Sequence, residues 1–276
     1  MTDDALERLE LRLLFEALHA RHGYDFRGYA EASILRRVRS FLPAAGCTHI
    51  AELIPKVLRD DALFSGLVQA ISVPVTEMFR DPFVYRALRA QVLPVLKTWP
   101  FAKIWHAGCA TGEEVYSMAV LLAEAELSDR STIYGTDFND NALRTARAGI
   151  YPLEQMQRFT KSYQEAGGLR SFAEYYHARY ESAALDASLK ANLMFANHNL
   201  TVDGELGEMH LIVCRNVLIY FNRDLQDRVL SMFADSLVHG GFLCIGPKED
   251  LKFSSAADQF EVVDRTARIY RRIGSP

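Results

Sequence analysis

Cysteine is scarce in this chain and never clustered. Its four copies, Cys47, Cys109, Cys214 and Cys244, stand far apart without metal-ligand spacing, which argues against a structural metal and for reduced thiols in the cytosol. Long apolar runs are missing: no stretch approaches a spanning helix, and the opening Met1-Thr2-Asp3-Asp4 lacks a basic, then apolar, leader, so membrane insertion and export are not expected. Positive charge is not in excess, since 31 Lys and Arg face 35 Asp and Glu for a net charge of −4. Nucleic acid and anionic membranes therefore have no global electrostatic claim on the chain, and any basic function must be local. Phosphate-binding loops are missing as well. There is no Gly-x-x-x-x-Gly-Lys-Ser/Thr, and no strand is followed by Gly-x-Gly-x-x-Gly.

What is present is a nucleoside signature without a phosphate cradle. Ile104-Trp105-His106-Ala107-Gly108-Cys109-Ala110-Thr111-Gly112-Glu113-Glu114 reads as a buried strand, a turn of small residues and a helix start, where backbone can approach a ligand closely. About one βαβ unit later, Thr132-Ile133-Tyr134-Gly135-Thr136-Asp137 reads as a strand ending in a carboxylate, the position that accepts from ribose hydroxyls. Two glutamates after the turn would repel a pyrophosphate but suit a cationic ligand. S-adenosylmethionine, with a sulfonium and an ammonium group, fits Glu113 or Glu114. Acids favoured by the helix dipole alone are the plainer alternative.

The first 72 residues show helical periodicity and no strand. Leu6, Leu9, Leu13, Ala17 and Leu18 share one helix face over 5–22, closed by Gly23. A second helix from Ser33 sets Ile34, Leu35, Val38, Phe41 and Leu42 opposite Arg36 and Arg39, with Arg37 flanking; two more follow near 49–58 and 61–71. Residues 73–100 form a link, extended at Val73-Pro74, and a helix from Pro82 to about Leu96. From 101 to 276, strands near 103–108, 132–137, 193–197, 209–214 and 241–246 alternate with helices, which predicts a parallel sheet. The segments 259–264 and 268–272 are too close for a crossover helix and should form an antiparallel hairpin. Residues 151–190, with possible short strands around 172–181, read as an inserted subdomain over the ligand-binding edge of the sheet.

At this point the chain is seen to resemble the CheR family of chemotaxis receptor methyltransferases over essentially its whole length. The matching motifs are Val75-Thr76-Glu77-Met78-Phe79-Arg80-Asp81-Pro82, Ala107 to Ser117, Thr136-Asp137, Arg147-Ala148-Gly149-Ile150-Tyr151, Asn199-Leu200 and Cys214-Arg215-Asn216-Val217-Leu218-Ile219-Tyr220-Phe221. The resemblance implies an α/β class I methyltransferase: a Rossmann-like, mostly parallel seven-stranded sheet with a C-terminal antiparallel hairpin, behind a small all-α N-terminal domain. It implies methyl transfer from S-adenosylmethionine to glutamates on the cytoplasmic helical domain of chemoreceptors, leaving a glutamyl methyl ester and S-adenosylhomocysteine. The enzyme is then expected in the cytoplasm, as a monomer, with no nucleic-acid partner.

Residue roles follow from the same resemblance. Thr76 and Arg80 would contact the methionine end of the cofactor, and Glu113 would take its ammonium group. Asp137 would hold the ribose, with Asn199 and Leu200 beside the adenine and Arg215 and Asn216 at the end of the fourth parallel strand. Tyr220 would lie nearest the transferring methyl, unless it and Phe221 simply pack in the core. Arg36, Arg37 and Arg39 match a basic helix that faces acidic receptor helices, or form a solvated basic face. His106 is expected to be packed rather than catalytic.

The chain departs from the family at Pro74, where an asparagine contacting the cofactor is frequent, and at Gly246-Pro247-Lys248-Glu249, where Gly-His-Ser-Glu is usual. The second change could alter the substrate entrance. Whether 151–190 holds a receptor tail peptide stays open. Two other readings compete: a methyltransferase with a different acceptor, and a non-catalytic S-adenosylmethionine-binding adaptor of a chemosensory array.

Overall fold

The computed structural model describes residues 2–72 and 76–274. Pro74, with its expected effect on an extended link and on a cofactor contact, lies outside the described residues. The N-terminal unit is all helical: α1 (Asp3–His22), α2 (Glu31–Phe41), α3 (Ile50–Val57) and α4 (Asp61–Ile71). Thr2 caps α1 by accepting from the Ala5 N–H, and Gly23 ends it in the left-handed region at φ 76°. The face of α1 differs from the expected one. Leu11, Leu14, Phe15 and Leu18 are buried, whereas Leu6 and Leu13 are 43% and 52% exposed. Both stripes have helical spacing, and packing of α1 on α3 selects the one that meets Ile50, Leu53 and Val57.

A helical rod follows, with α5 (Pro82–Ala87), a π turn over Leu88–Val92 and α6 (Leu93–Leu96). The widened turn stands just ahead of Pro94, which has no N–H to continue the ladder. Strands and helices then alternate: β1 (Ala102–Ala107), α7 (Glu113–Glu124), β2 (Ser131–Asp137) and α8 (Asp140–Ala148). Next come β3 (Ile150–Pro152), α9 (Leu153–Glu165), β4 (Tyr176–Arg179), β5 (Ser182–Leu185), α10 (Ala187–Lys190) and β6 (Leu193–Asn197). The chain closes with β7 (Met209–Cys214), α11 (Arg223–Ser236), β8 (Leu237–Ile245), β9 (Phe260–Asp264) and β10 (Ile269–Arg272).

Seven strands form one sheet in the order β6-β2-β1-β7-β8-β10-β9. The first five are parallel, while β10 runs antiparallel to both β8 and β9, as the short spacing of the last two segments demands. The chain winds from β1 outward through β2 to β6, then returns to the other side of β1 for β7 and β8. This reversal opens a crevice at the C-terminal ends of β1 and β7. Val115, Met118 and Leu122 of α7 cover one face of the sheet, and Leu225, Val229 and Phe233 of α11 cover the other. The segment after α8 adds a separate antiparallel sheet, β3-β5-β4.

A buried acid joins the segment between β3 and β4 to the main body. Glu124, its side chain 0% exposed, pairs with Arg89 of the π turn and accepts from the Tyr163 hydroxyl, the Tyr175 hydroxyl at 3.1 Å and the Leu169 N–H at 3.0 Å. Burial pushes its carboxyl up, but the bonds from Tyr163, Leu169 and Arg89 outweigh this and hold it below its usual value of 4.5. Its contribution to stability should be complete above that value and fade as pH falls through the lowered one. Glu124→Ala is expected to cost about 3 kcal/mol at neutral pH. A urea melt would show this as a lower midpoint, and an unchanged midpoint would remove Glu124 from this role.

Candidate functional site: a cavity between the sheet and the helical unit

The crevice is a cavity of about 340 Å³, within the range that holds small-molecule ligands. Its floor is the turn after β1. Gly108 adopts φ 76°, and a Cβ there would stand 2.6 Å from Val217 Cγ2. The Gly108 and Cys109 N–H groups both donate to Thr136 O at 2.8 Å, which pins the turn to the end of β2. Four non-glycine residues at positive φ, Phe79, Asp81, Ala110 and Asn216, fall in the three segments around the cavity. Such strain persists only where surrounding packing over-determines it.

Asp137 ends β2 at the cavity wall, its Oδ2 accepting from the Ala110 N–H and its Oδ1 from the Asn139 N–H, each at 2.9 Å. Burial pushes its carboxyl above the usual value, and these N–H bonds work the other way. Asn199 and Leu200 follow β6. Asn199 Oδ1 is engaged by the Thr201 N–H at 3.0 Å and hydroxyl at 2.8 Å, so a local turn fixes the side chain on the wall. Asn216, after β7, leaves its Oδ1 buried without a hydrogen-bond partner while lining the cavity. An unanswered buried acceptor on a wall suits a ligand that donates.

Arg215, beside it, is a structural hub. Its side chain is 1% exposed, and it binds Asp81 Oδ2 at 2.7 Å, Glu114 Oε1 at 2.5 Å and the Arg80 carbonyl at 3.1 Å. Burial opposes its charge, but Glu114 more than restores it. The network brings Thr76 and Arg80 of the link onto the wall. His106 lies behind Glu114, 4.0 Å from its Oε2, and burial pushes it down to about 4. It is neutral and off the wall, a packed histidine.

Thr76, Arg80, Asp137, Asn199, Leu200, Arg215, Asn216 and Tyr220 all line the cavity. Glu113 does not. It turns back to accept from the Thr111 hydroxyl at 2.7 Å, 5% exposed, and the acid on the wall is Glu114. Helix geometry explains the correction, because consecutive residues on α7 point about 100° apart and only one can face the turn. The three arginines of α2 also separate. Arg37 enters the cavity, its guanidinium 4.7 Å from the Tyr220 ring centroid and its Nη1 donating to Ile71 O at 2.5 Å. Arg39 is exposed but tied to Glu7 of α1, while Arg36 is exposed outside the cavity. Tyr220 is half-buried, and Phe221 is a core residue.

Several wall residues were not singled out in the sequence. Tyr29 and Ser72 come from the helical unit, Asn139 follows β2 and His198 follows β6. Tyr29 lies between helices in a stretch without periodicity, so nothing local marks it. In the other altered motif, Glu249 accepts from the Gly246, Asn216 and Ile219 N–H groups at 2.5, 3.2 and 3.2 Å. The retained acid thus shapes the wall from behind, whereas half-buried Pro247 and exposed Lys248 do not line it.

Comparison with known proteins agrees with this geometry. Residues 9–72 match the family model described as the CheR methyltransferase all-alpha domain, and residues 74–269 match the CheR methyltransferase SAM binding domain. The chain belongs to the CheR family. A Pseudomonas putida protein provisionally named methyltransferase Cher3 is 48% identical over 272 residues, covering 99% of this chain and 100% of its own length. Chemotaxis protein methyltransferase 1 of Vibrio cholerae is 31% identical over 219 residues, 74% of each chain. The chemotaxis protein methyltransferase of Listeria monocytogenes is 29% identical over 231 residues, covering 83% of this chain and 85% of its own. The fold is the class I methyltransferase fold, and the protein is an S-adenosylmethionine-dependent methyltransferase of the CheR type. The close turn at Gly108, the unanswered Asn216 Oδ1 and the absence of a phosphate cradle fit that cofactor.

The exchange of Glu113 for Glu114 on the wall can be measured. Burial pushes the Glu113 carboxyl up to about 7. Its cost to the fold is therefore absent below the ordinary glutamate value and grows as pH rises through 7. At pH 8, Glu113→Gln should raise the melting temperature and change S-adenosylhomocysteine affinity by less than about twofold. Glu114→Gln should weaken that affinity about tenfold and lower the melting temperature, because Arg215 loses its closest anion. The reverse pattern in calorimetry would restore Glu113 as the ammonium partner.

Proposed function

We propose that the protein transfers the methyl group of S-adenosylmethionine to glutamate side chains on the cytoplasmic helical domain of chemoreceptors, as a monomer in the cytoplasm. The observation that carries this reading is Arg37 stacked on Tyr220, a cation and a hydroxyl on the same cavity wall as Asp137 and Asn216. A carboxylate acceptor requires what this pair offers: a fixed positive charge to draw it in and a polar ring to orient it. Among the described residues no helix is long and apolar enough to cross a membrane.

In this reading Asp137 accepts from the ribose hydroxyls, Asn199 and Leu200 flank the adenine, and Thr76 and Arg80 hold the methionine end, with Arg80 on its carboxylate. Glu114 takes the ammonium group in place of Glu113. Arg215 is a positioning residue that holds Glu114 and the Arg80 backbone, and Asn216 accepts through its unanswered Oδ1. When bound, S-adenosylmethionine supplies a methyl group on a sulfonium, which an ionised carboxylate can accept without giving up a proton. No general base is needed, and His106 in particular, neutral and buried behind Glu114, supplies none. Catalysis then rests on alignment and on electrostatics tuned to a charge-neutralising step.

The test is transfer of labelled methyl to receptor-containing membranes, scored as base-labile ester. Asp137→Ala should abolish the label, and Tyr220→Phe should lower kcat about tenfold. Arg37→Ala should lower kcat/KM by at least about tenfold, and Arg39→Ala should change it little, since Arg39 is held by Glu7. Transfer should also weaken as salt rises, if basic side chains draw in acidic helices. Cofactor binding without label on any receptor would favour a different acceptor or an adaptor role instead.

A further inference from the structure

The cavity is closed by a thin bridge between two units that are far apart in sequence. Gly28, Tyr29 and Ala30, just ahead of α2, run antiparallel to Tyr220, Phe221 and Asn222, just ahead of α11. The Ala30 N–H donates to Tyr220 O and the Asn222 N–H to Gly28 O, both at 2.8 Å, while the Tyr29 and Phe221 rings meet edge to face at 5.1 Å. The approach is close, because a Cβ on Gly28 would stand 2.8 Å from Leu225 Cδ2. Tyr29 and Ala30 also border a second cavity of about 420 Å³, lined by Leu11, Phe15 and Asn222 among others. The bridge therefore stands between two hollows, with Phe221 in the core on the sheet side and Tyr29 packed against it.

Tyr29 stands where the cofactor is held. It lines the cavity together with Asp137, the carboxylate assigned to the ribose, and with Arg37. Both of those charges act on its hydroxyl, and no protein group among the described residues hydrogen-bonds it. A hydroxyl that faces a nucleoside cavity and lacks a protein partner is available to a ligand. We infer that Tyr29 is a cofactor-contacting residue supplied by the helical unit, and that the Gly28–Ala30 bridge makes seating of that unit part of cofactor capture.

The consequence is reciprocal. If the cofactor's nucleoside binds better when the bridge is formed, then bound nucleoside must stabilise the bridge by the same factor. The bridge also carries the backbone of Tyr220, and Arg37 follows it on α2. Filling the cofactor subsite would therefore firm up the wall assigned to the acceptor before the acceptor arrives. This link between cofactor and acceptor walls rests on the proposed acceptor site; the contact between Tyr29 and the cofactor does not.

Calorimetry with S-adenosylhomocysteine on the full chain tests the contact. Tyr29→Phe, which removes only the hydroxyl, should weaken binding about fivefold, and Tyr29→Ala should weaken it further. Hydrogen exchange tests the coupling in the unmutated protein. The Ala30 and Asn222 amides, whose bonds are the bridge, should exchange at least about tenfold more slowly when S-adenosylhomocysteine is saturating. Gly28→Val should weaken nucleoside binding while leaving Tyr29 in place, because its branch cannot fit beside Leu225. Equal affinity of wild type and both Tyr29 variants would overturn the contact, and unchanged amide exchange would overturn the coupling. Neither readout uses an acceptor, so loss of methyl transfer to receptors would count against the proposed function alone.

Discussion

A guanidinium removed almost wholly from water has to be answered by charge and by hydrogen bonds, and Arg215 is answered by two separate parts of the chain. Asp81 and the Arg80 carbonyl belong to the segment ahead of the helical rod, and Glu114 belongs to the helix after the cofactor turn. Removing any one partner would leave the others with uncompensated charge in a low-dielectric setting. The network therefore fixes the link against the sheet and holds open the cavity above it. Its role is one of geometry: the wall residues Thr76, Arg80, Glu114 and Asn216 keep their relative places because Arg215 cannot be left unpaired.

Around that fixed point lie charged side chains. Asp137 and Glu114 bring negative charge to the cavity, and Arg37, its guanidinium over the Tyr220 ring, brings positive charge to the same cavity. Charge of both signs on one cavity suits the proposed transfer, in which a cationic cofactor meets an anionic acceptor. The buried histidine behind Glu114 adds no base, since burial keeps it uncharged. The proposed carboxylate acceptor, already nucleophilic, would need position more than proton traffic.

The helical unit is a structural part of this site. It grips the sheet at both ends of the cavity: through the bridge to Tyr220–Asn222, and through bonds from Asn139 to Ser72 at 2.7 Å and from Asn141 to Ser65 at 3.2 Å. Tyr24 adds a bond to Phe138 O at 3.2 Å. The cavity is thereby assembled from both matched domains, and Tyr29 and Arg37 belong to it only because the two are docked.

What the sequence by itself determined were features with a local cause. The glycine turn, the strand ending in Asp137, the parallel alternation and the antiparallel C-terminal hairpin each follow from spacing, small residues or connection length, and all appear as expected. The family motifs likewise brought most of the wall into view. Tertiary structure decided the rest, where two local solutions were equally good. Two apolar stripes on α1 had the same period, and contact with α3 chose between them. Glu113 and Glu114 were equivalent as letters, and the rotation of α7 against the turn put Glu114 on the wall. Arg36, Arg37 and Arg39 formed one basic cluster until docking turned Arg37 inward and Glu7 claimed Arg39. Tyr29 carried no local signal, because its place depends on a strand-like pairing with residues nearly two hundred positions away. Side-chain direction and long-range pairing are set by packing, and no short window of sequence contains them.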